Sequence, residues 1–510
     1  MSVTLAMVAA GTAVAANAFK HAGPSGDGSA ITPVGFRVDP AGQQTTLGSL
    51  PLASATAPDG RTMLVVNAGD ANQSVQVVDT ATSKVVQTLT YQSPQAVFTG
   101  VAYSPDGTHA YVSGGGNNVI RAYGVTGGHL TEATPMALPT KNPSGAAVNM
   151  YPAGLAVTPD GRRLVVADQL ADAASVVDIA TGTTQTVAVG HDPYGVVLSQ
   201  DGRTAYVTNQ GGNTVSVLDI SAAAPVVTSA ITVGTHPNQV VRSADGRRLF
   251  VANGDSDGIS VIDTASGRVT DTISLAPYRG APVGANPDGL ALASDGRSLY
   301  VSNSGDNDVA VVDVDHGRVS GLIPTAWYPT GVQRVGNSLL VLNAKGLGAG
   351  SNPNGPNPYT DDQRRVTDPA GFAAQYVGTM MMGTLSTVGV PSRAQLAHYT
   401  AQVNANDGFA QGDSVRGAGG AGEAIVPMHV GQPSPIKHVI YIVKENRTYD
   451  QEFGSLGKGN GDPTLDLFGN ESAPNLRTLE GRFADLDNFY ANAEVSAQGW
   501  NWVVASNSNP

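Results

Sequence analysis

The sequence contains no cysteine, which excludes disulfide scaffolds, thiolate zinc sites and cysteine nucleophiles. Charged residues make up only 14% of the chain, and basic residues are the minority, with 28 Lys and Arg against 41 Asp and Glu. The net charge of -13 repels phosphate, so a nucleic-acid partner is not expected. No segment approaches the ~20 consecutive apolar residues of a membrane-spanning helix.

What the chain has in abundance is glycine, with 62 residues, and proline, with 31. Val-rich runs between them indicate a turn-rich folded protein rather than disorder. Residues 1–18 combine an apolar stretch with the small-x-small pattern Ala16-Asn17-Ala18. This favours a secretory signal peptide without the usual positive start, and so a periplasmic or extracellular protein. The alternative is an Ala-rich tail.

One phrase recurs along the chain, as in "SPDGTHAYVSGG", "TPDGRRLVVADQ" and "SQDGRTAYVTNQ". Its aspartates are Asp59, Asp106, Asp160, Asp201, Asp245 and Asp295. Each copy reads as two alternating strands around an Asp-Gly turn, and two further strands follow. This spacing is typical of a four-stranded propeller blade. We predict an all-β, seven-bladed β-propeller over residues 35–391, with the segment "PVGFRVDPAG" (33–42) closing the ring.

The phrases "AYVTNQGGNTVSVLD" and "LYVSNSGDNDVAVVD" resemble the YVTN-type β-propeller repeat. The resemblance covers most of residues 50–340. It implies the propeller fold but no particular reaction.

Several predicted blades begin with a proline motif, as in "HDPYG", "THPNQ", "NPDG" and "WYPTG". A position repeated around a closed ring maps to one end of the central channel. We therefore expect a polar and aromatic channel mouth formed by His191, Tyr194, His236, Asn238, Asp288, Trp327 and Tyr328. The alternative is that proline only marks the turn into each inner strand.

Two acidic turns, "GDSDG" and "GDNDV", suggest calcium binding. Neither contains the full twelve-residue calcium loop. Their residues Asp255, Asp257, Asp306 and Asp308 are therefore expected to be solvated.

Residues 392–435 are predicted to form a linker, because they become rich in Gly and end in Pro. The run "IKHVIYIV" that follows is typical of a strand buried in a parallel sheet. Ligands bind at the carboxyl ends of such strands, where Glu445 and Asn446 could offer oxygen ligands to a divalent metal. The alternative is a strand-end cap in which Arg447 and Asp450 form a structural pair.

The stretch "IKHVIYIVKENRTYDQEFG" is similar to the opening motif of the phosphoesterase family that includes bacterial phospholipases C and acid phosphatases. Together the two halves resemble bifunctional YVTN-repeat/alkaline-phosphatase-like proteins. The resemblance implies that residues 436–510 are the N-terminal part of an α/β alkaline-phosphatase-like domain. It implies that Glu445 and Asn446 bind metal and that Arg447 and Asp450 support them or bind phosphate.

Ser496 is the candidate nucleophile, or else only the N-cap of a helix. Gln498 and Trp500 stand where the family often has Asp and His, so no further metal ligand is expected there. Only residues 436–510 remain for a domain that needs several βα units, so we expect a C-terminally truncated product with little activity.

Two functions follow from the sequence. The first is a secreted propeller protein carrying the start of a metal-dependent phosphoesterase that acts on phosphate esters. The second is a non-catalytic propeller that binds a protein, a glycan or a surface ligand.

Overall fold

A computed structural model of the protein describes residues 22–349, 377–409, 425, 433–444, 447–491 and 493–505. These residues form two compact units, of which the first ends at Asp407 and the second begins at Gly408. The proposed signal segment, residues 1–18, lies outside the described residues. None of the helices in the described ranges is long and apolar enough to cross a membrane.

The first unit is dominated by seven antiparallel sheets, which we call blades 1 to 7. Their first strands contact one another in chain order, and the last returns to the first, so they line a common axis. The β-propeller prediction is confirmed.

From the axis outward, blade 1 contains β5 (Pro51–Thr56), β6 (Thr62–Asn67), β7 (Gln73–Asp79) and β8 (Lys84–Tyr91); blade 2 contains β9 (Val101–Tyr103), β10 (His109–Ser113), β11 (Val119–Thr126) and β12 (His129–Glu132), with β13 (Met136–Ala137) also paired to β11; blade 3 contains β14 (Pro152–Val157), β15 (Arg163–Asp168), β16 (Ala173–Asp178) and β17 (Thr184–Ala188).

The remaining blades repeat this order. Blade 4 contains β18 (Pro193–Leu198), β19 (Thr204–Asn209), β20 (Thr214–Asp219) and β21 (Val226–Thr232); blade 5 contains β22 (Pro237–Arg242), β23 (Arg248–Asn253), β24 (Gly258–Asp263) and β25 (Arg268–Ser274); blade 6 contains β26 (Pro287–Leu292), β27 (Ser298–Asn303), β28 (Asp308–Asp313) and β29 (Arg318–Pro324); blade 7 contains β30 (Trp327–Val335), β31 (Ser338–Gly346), β32 (Thr384–Gly389) and β4 (Gln43–Thr46).

Blade 7 joins the two ends of the propeller, because its outermost strand β4 comes from the start of the chain. Thr45 lies opposite Leu385, and the Ser386 hydroxyl donates to Gln44 Oε1 at 2.8 Å. The closing strand is therefore Gln43–Thr46, directly after the predicted segment 33–42. Part of that segment instead forms a small sheet of β1 (Gly23–Pro24), β2 (Ala30–Ile31) and β3 (Arg37–Val38).

The recurring Asp-Gly phrase forms the turn between the first two strands of a blade. In blade 3, Gly161 has a φ of 70°, and Asp160 Oδ1 accepts a hydrogen bond from the Arg162 backbone N–H. Glycine adopts this left-handed conformation without steric cost, which explains its recurrence at this position. These turns lie at one end of the blades, and each inner strand begins at the other end.

The core lies between neighbouring blades, where apolar side chains of the second and third strands are fully buried. The helices of the first unit are α1 (Val377–Met380) and α2 (Arg393–Asn406). Helix α2 begins with a capping box at Ser392 and buries Val403 against blade 6. The start of the predicted linker 392–435 is therefore a helix of the propeller unit.

The second unit contains α3 (Tyr449–Phe453), α4 (Pro474–Arg482) and α5 (Ser496–Ala505). Its centre is Arg477, which is only 6% exposed. The Arg477 guanidinium lies 3.1 Å from Asp466 Oδ2 and donates to the Glu452 carbonyl oxygen at 2.7 Å. A charge buried in this way is tolerated because its donors are satisfied.

The predicted strand "IKHVIYIV" is wrong. Residues 436–443 form no strand, and Val439, Ile440 and Ile442 are 82%, 87% and 75% exposed. A strand needs a partner that accepts and donates its ladder hydrogen bonds, and the described residues from 408 onward contain no strand. The α/β part of the predicted fold class is therefore not seen in the described residues.

The role of β4 can be tested with two shortened chains. A chain starting at Asp39 retains β4, and one starting at Leu47 lacks it. We expect the second chain to melt at least about 5 °C lower, because blade 7 loses its outer strand and the ring its closure. Calorimetry of both chains gives the comparison, and equal melting temperatures would contradict the role assigned to β4.

A second prediction concerns Asp168, which ends the second strand of blade 3. The equivalent residues Asn67, Asn209 and Asn253 donate Nδ2 to a serine hydroxyl seven residues later, at 3.0 Å. Asp168 instead accepts a hydrogen bond from the Ser175 hydroxyl at 2.6 Å, and its Oδ1 has no partner. Burial raises the pKa of Asp168 to about 8.

Because the folded state retains a proton that the unfolded chain loses above pH 3.8, stability falls as pH rises from about 4 to 8. Asp168→Asn should remove this loss and raise the free energy of unfolding by about 2–4 kcal/mol at high pH, with little change near pH 4. Urea unfolding across this pH range measures it, with the exposed turn variant Asp160→Asn as control. An unchanged pH dependence would show that Asp168 is not the titrating group.

Candidate functional site

The inner strands enter the channel with an unusual backbone conformation. Six non-glycine residues that directly precede a proline have positive φ: Leu50 (53°), Tyr151 (53°), Asp192 (47°), His236 (56°), Asn286 (48°) and Tyr328 (63°). Such a conformation costs on the order of 1–3 kcal/mol per residue and concentrates at functional sites. Its repetition in six blades marks this end of the channel, which we call the mouth, as the candidate site.

Tyr194 is the central side chain of the mouth. It follows the proline of blade 4, and its hydroxyl interacts with Thr99 of blade 2 and with Asp288 and Tyr328 of blades 6 and 7. A side chain that approaches all three must extend over the channel axis. Burial raises the pKa of Tyr194, and the Asp288 charge raises it further, so the phenol stays protonated and can donate a hydrogen bond.

Two polar groups, the Thr99 hydroxyl and the Asp288 carboxyl, lie next to Tyr194. The Thr99 hydroxyl is buried and has no hydrogen-bond partner of good geometry. Burial raises the pKa of Asp288 to about 7, so near neutral pH this group is both donor and acceptor. Both groups can exchange hydrogen bonds with a ligand that binds beside Tyr194.

Behind the mouth the channel narrows to a cavity of about 90 Å³, lined by the inner strands of all seven blades. Glycine is required where these strands approach one another. A Cβ on Gly195 would lie 2.7 Å from the Asn238 carbonyl oxygen of the next blade. The cavity holds only a few water molecules, so an organic ligand must bind at the mouth rather than pass through.

The structure brings together only some of the predicted mouth residues. Tyr328 joins Tyr194 and Asp288, and its hydroxyl accepts a hydrogen bond from Asn286 at 3.3 Å. Trp327 is half-buried in a cluster with Ala30 and Val38 of the small N-terminal sheet. The Lys345 ammonium lies 4.8 Å from the Trp327 ring centroid, a cation–π contact.

Asn238 has a structural role in the mouth. It is 5% exposed, accepts from Gln210 of blade 4 at 2.6 Å and donates to the Pro287 carbonyl of blade 6 at 3.1 Å. It therefore ties three consecutive blades together, and both ends of its amide are already engaged.

His191 and His236 form ion pairs with neighbouring aspartates on the same face. His191 Nδ1 lies 3.0 Å from Asp172 Oδ1, and its Nε2 lies 3.4 Å from Asp192 Oδ2. The hydrogen bond with Asp172 raises the pKa of His191, and the Asp192 charge adds to this. His236 Nδ1 is 3.8 Å from Asp255, but burial lowers the pKa of His236 despite that charge.

Asp172, His191 and Asp192 are the only group of three within the described ranges whose potential metal-ligating atoms all lie within 4.8 Å of one another. A single ion cannot contact both ring nitrogens of His191, however. The arrangement fits a protonated imidazole held between two carboxylates better than a metal centre.

The second unit contributes a less complete site. Glu445 and Asn446, the predicted metal ligands, lie outside the described residues. Asp450 Oδ1 accepts from the Asp462 backbone N–H at 2.8 Å, and the Arg447 guanidinium lies 4.9 Å from the Phe468 ring centroid. Ser496 is exposed and is the first residue of α5. Within the described part of this unit, no three Asp, Glu or His side chains converge on a metal position.

Sequence reasoning missed Thr99 and Asn286. Blade 2 has no proline at the start of its inner strand, so its phrase "FTGVAY" was not grouped with "YPAGLAV" and "DPYGVVL". The shared signal was the glycine that follows the mouth residue, since Gly100, Gly154 and Gly195 occupy the same position.

A comparison with protein-family models agrees with the propeller fold. Residues 185–283, about a fifth of the chain, match the family model "Lactonase, 7-bladed beta-propeller". Among solved structures, hydrazine synthase of Kuenenia stuttgartiensis is 21% identical with a TM-score of 0.48, covering 59% of this chain and 95% of that chain. A functionally unknown protein from Desulfotomaculum acetoxidans is 20% identical with a TM-score of 0.45, covering 55% and 87%. No curated protein matches.

Proposed function

We propose that the propeller is a recognition module that binds a hydroxyl-rich ligand, such as a glycan, at its channel mouth. The observation that carries this proposal is the position of Tyr194 over the channel axis, where its hydroxyl lies next to the buried Thr99 hydroxyl and the Asp288 carboxyl. A phenol offers an apolar face and a polar tip, which suits a sugar ring and its hydroxyls. A few convergent polar groups in a concave site are typical of small-molecule sites.

The charges of the mouth limit what it can bind. Asp172, Asp192 and Asp255 lie on the same face as Asp288, and the nearby cations are Lys345 and His191, since burial lowers the pKa of His236. A surplus of carboxylates repels an anionic group such as a phosphate ester. The mouth therefore suits a neutral or cationic ligand, and phosphate chemistry would have to occur elsewhere in the chain.

Tyr194→Phe removes the central hydroxyl while keeping the ring. Binding of a panel of neutral and amino-sugar oligosaccharides, measured by calorimetry, should weaken about tenfold, because one hydrogen bond is lost and its partner stays buried. Tyr206→Phe, on the second strand of the same blade, is the matched control and should bind normally. Equal affinities for both variants, or no binding by the native chain, would remove this proposal.

The second proposal is a metal-dependent phosphoesterase whose first part is residues 436–510. It is favoured by the compact network that follows the "KENRTYD" motif, in which Lys444 Nζ lies 2.7 Å from Glu452 Oε2 and the capping box of Thr448 and Gln451 starts α3. Glu445 and Asn446 would hold the divalent metal, Arg447 and Asp450 would support them, and Ser496 would be the nucleophile. The described residues of this unit do not complete a set of ligands for the ion.

Hydrolysis of p-nitrophenyl phosphate and its diester, with and without divalent metals, tests the second proposal. We expect a slow, metal-dependent rate that Glu445→Ala and Ser496→Ala lower at least about tenfold. Glu471→Ala, at an exposed position of the same unit, should leave the rate unchanged. Metal-independent rates that are equal in all variants would exclude catalysis by these residues.

Export from the cytoplasm is a further part of this proposal. It is supported by the apolar stretch and the Ala16-Asn17-Ala18 pattern near the start of the chain. N-terminal sequencing of the protein after expression of the whole chain would show whether cleavage occurs after Ala18.

A further inference from the structure

A group of carboxylates lies on the mouth side of blade 6, apart from the channel. Asp306 is in the turn before β28, Asp308 is the first residue of β28, and Asp407 is the C-cap of helix α2. Asp308 is 1% exposed and Asp407 is 7% exposed, while Asp306 is half-buried. The expectation that the acidic turns are solvated is therefore wrong for Asp308, and also for Asp257, which is 5% exposed.

The two most buried of these carboxylates have acceptor atoms without partners. Asp308 Oδ1 accepts from Asn303 Nδ2 at 2.9 Å, but its Oδ2 has no hydrogen bond. Asp407 Oδ1 has none either. Across the described ranges, none of the ion pairs involves Asp306, Asp308 or Asp407.

Helix α2 brings Asp407 to β28, because the Asp407 N–H donates to the Val403 carbonyl at 3.0 Å and Val403 shares a core cluster with Ala310 and Val312 of that strand. Burial raises the pKa of Asp308, and the charges of Asp306 and Asp407 raise it further. Burial and the Asp306 charge raise the pKa of Asp407 to about 8. Asp407 also ends a fourteen-residue helix, whose C-terminal carbonyls carry partial negative charge. The acceptor atoms that lack partners, Asp308 Oδ2 and Asp407 Oδ1, therefore favour a cation at this position.

We propose that Asp306, Asp308 and Asp407 form a calcium site that fastens helix α2 to blade 6. Carboxylate oxygens are the ligands that this ion prefers, and it accepts flexible geometries with six to eight oxygens, some of them from water. The Asp306-Asn307-Asp308 turn gives the alternate-residue spacing with which calcium loops begin, and Asp407 supplies a carboxylate from nearly a hundred residues away in the sequence.

The three ligand atoms do not all lie within 4.8 Å of one another in this structure. We therefore expect Asp308 and Asp407 to ligate the ion directly and the half-buried Asp306 to reach it by side-chain rotation or through a water molecule.

The position of α2 suggests what the ion would stabilise. Helix α2 packs Val403 against blade 6 and Leu396 against the cluster of blade 7, and Gln402 Nε2 donates to the Asp39 carbonyl just before β4 at 3.0 Å. It thus spans the last two blades and contacts the segment that closes the ring. An ion at its C-terminal end would hold all of these contacts in place.

The test is a calcium titration of the whole chain near pH 8.5, because a high pH favours ionised carboxyls, followed by calorimetric binding and thermal unfolding. We expect one ion per chain with a dissociation constant on the order of 10⁻⁴–10⁻³ M, and a melting temperature that rises with calcium. Asp308→Asn and Asp407→Asn should each weaken binding at least tenfold, whereas the exposed Asp315→Asn should bind normally.

Without calcium, Asp308→Asn and Asp407→Asn should melt no lower than the native chain, because each removes a repelling charge. This comparison separates loss of the site from loss of the fold. A native chain whose melting temperature does not respond to millimolar calcium, or a response that both variants retain, would overturn the proposal.

Discussion

The closure of seven sheets around one axis is the constraint on which the rest of this structure depends. The inner strands approach so closely that Gly195 could not carry a Cβ without meeting the Asn238 carbonyl of the next blade. The same crowding coincides with strained backbone at the channel entrance, where six residues before a proline have positive φ. This strain persists because each blade is held by its neighbours, and above all because β4 completes blade 7. Closure thus explains both the narrow channel and the side chains gathered at its mouth.

The two ends of the propeller differ in how they use aspartate. At the Asp-Gly turns the carboxylates are exposed and accept hydrogen bonds from a side-chain hydroxyl and from the backbone, which lowers the pKa of groups such as Asp160 and Asp245. At the opposite end of the blades, Asp168 and Asp407 are buried and Asp288 is half-buried, and burial raises the pKa of all three. The first set stabilises the fold at neutral pH, whereas the second costs stability unless a proton, a ligand or a cation compensates it. Buried acids that no protein group compensates are more readily explained by function than by folding.

The sequence predicted the propeller well because the information is local and repeated. An Asp-Gly turn between alternating strands specifies a hairpin wherever it occurs, and its spacing specifies the blade. The candidate site was predicted only in part, because contacts across the channel depend on which blades face one another. Tyr194 was identified from its proline motif, but its neighbour Thr99 lies in the blade without that motif. The burial of Asp308 was not predicted for a similar reason. Asp407, the C-cap of helix α2 whose charge acts on Asp308, comes almost a hundred residues later in the sequence.

The second unit shows the opposite relation between pattern and structure. The run of residues 436–443 has the composition of a buried strand, yet these side chains are largely exposed. Helix α3 and the Arg477 network, in contrast, depend on contacts between residues that are at most about forty positions apart in the sequence. Capping boxes and buried ion pairs can be satisfied locally, whereas a central strand requires neighbours on both sides. The apolar composition of residues 436–443 is therefore not sufficient to specify a strand, because the ladder hydrogen bonds also require a neighbouring strand.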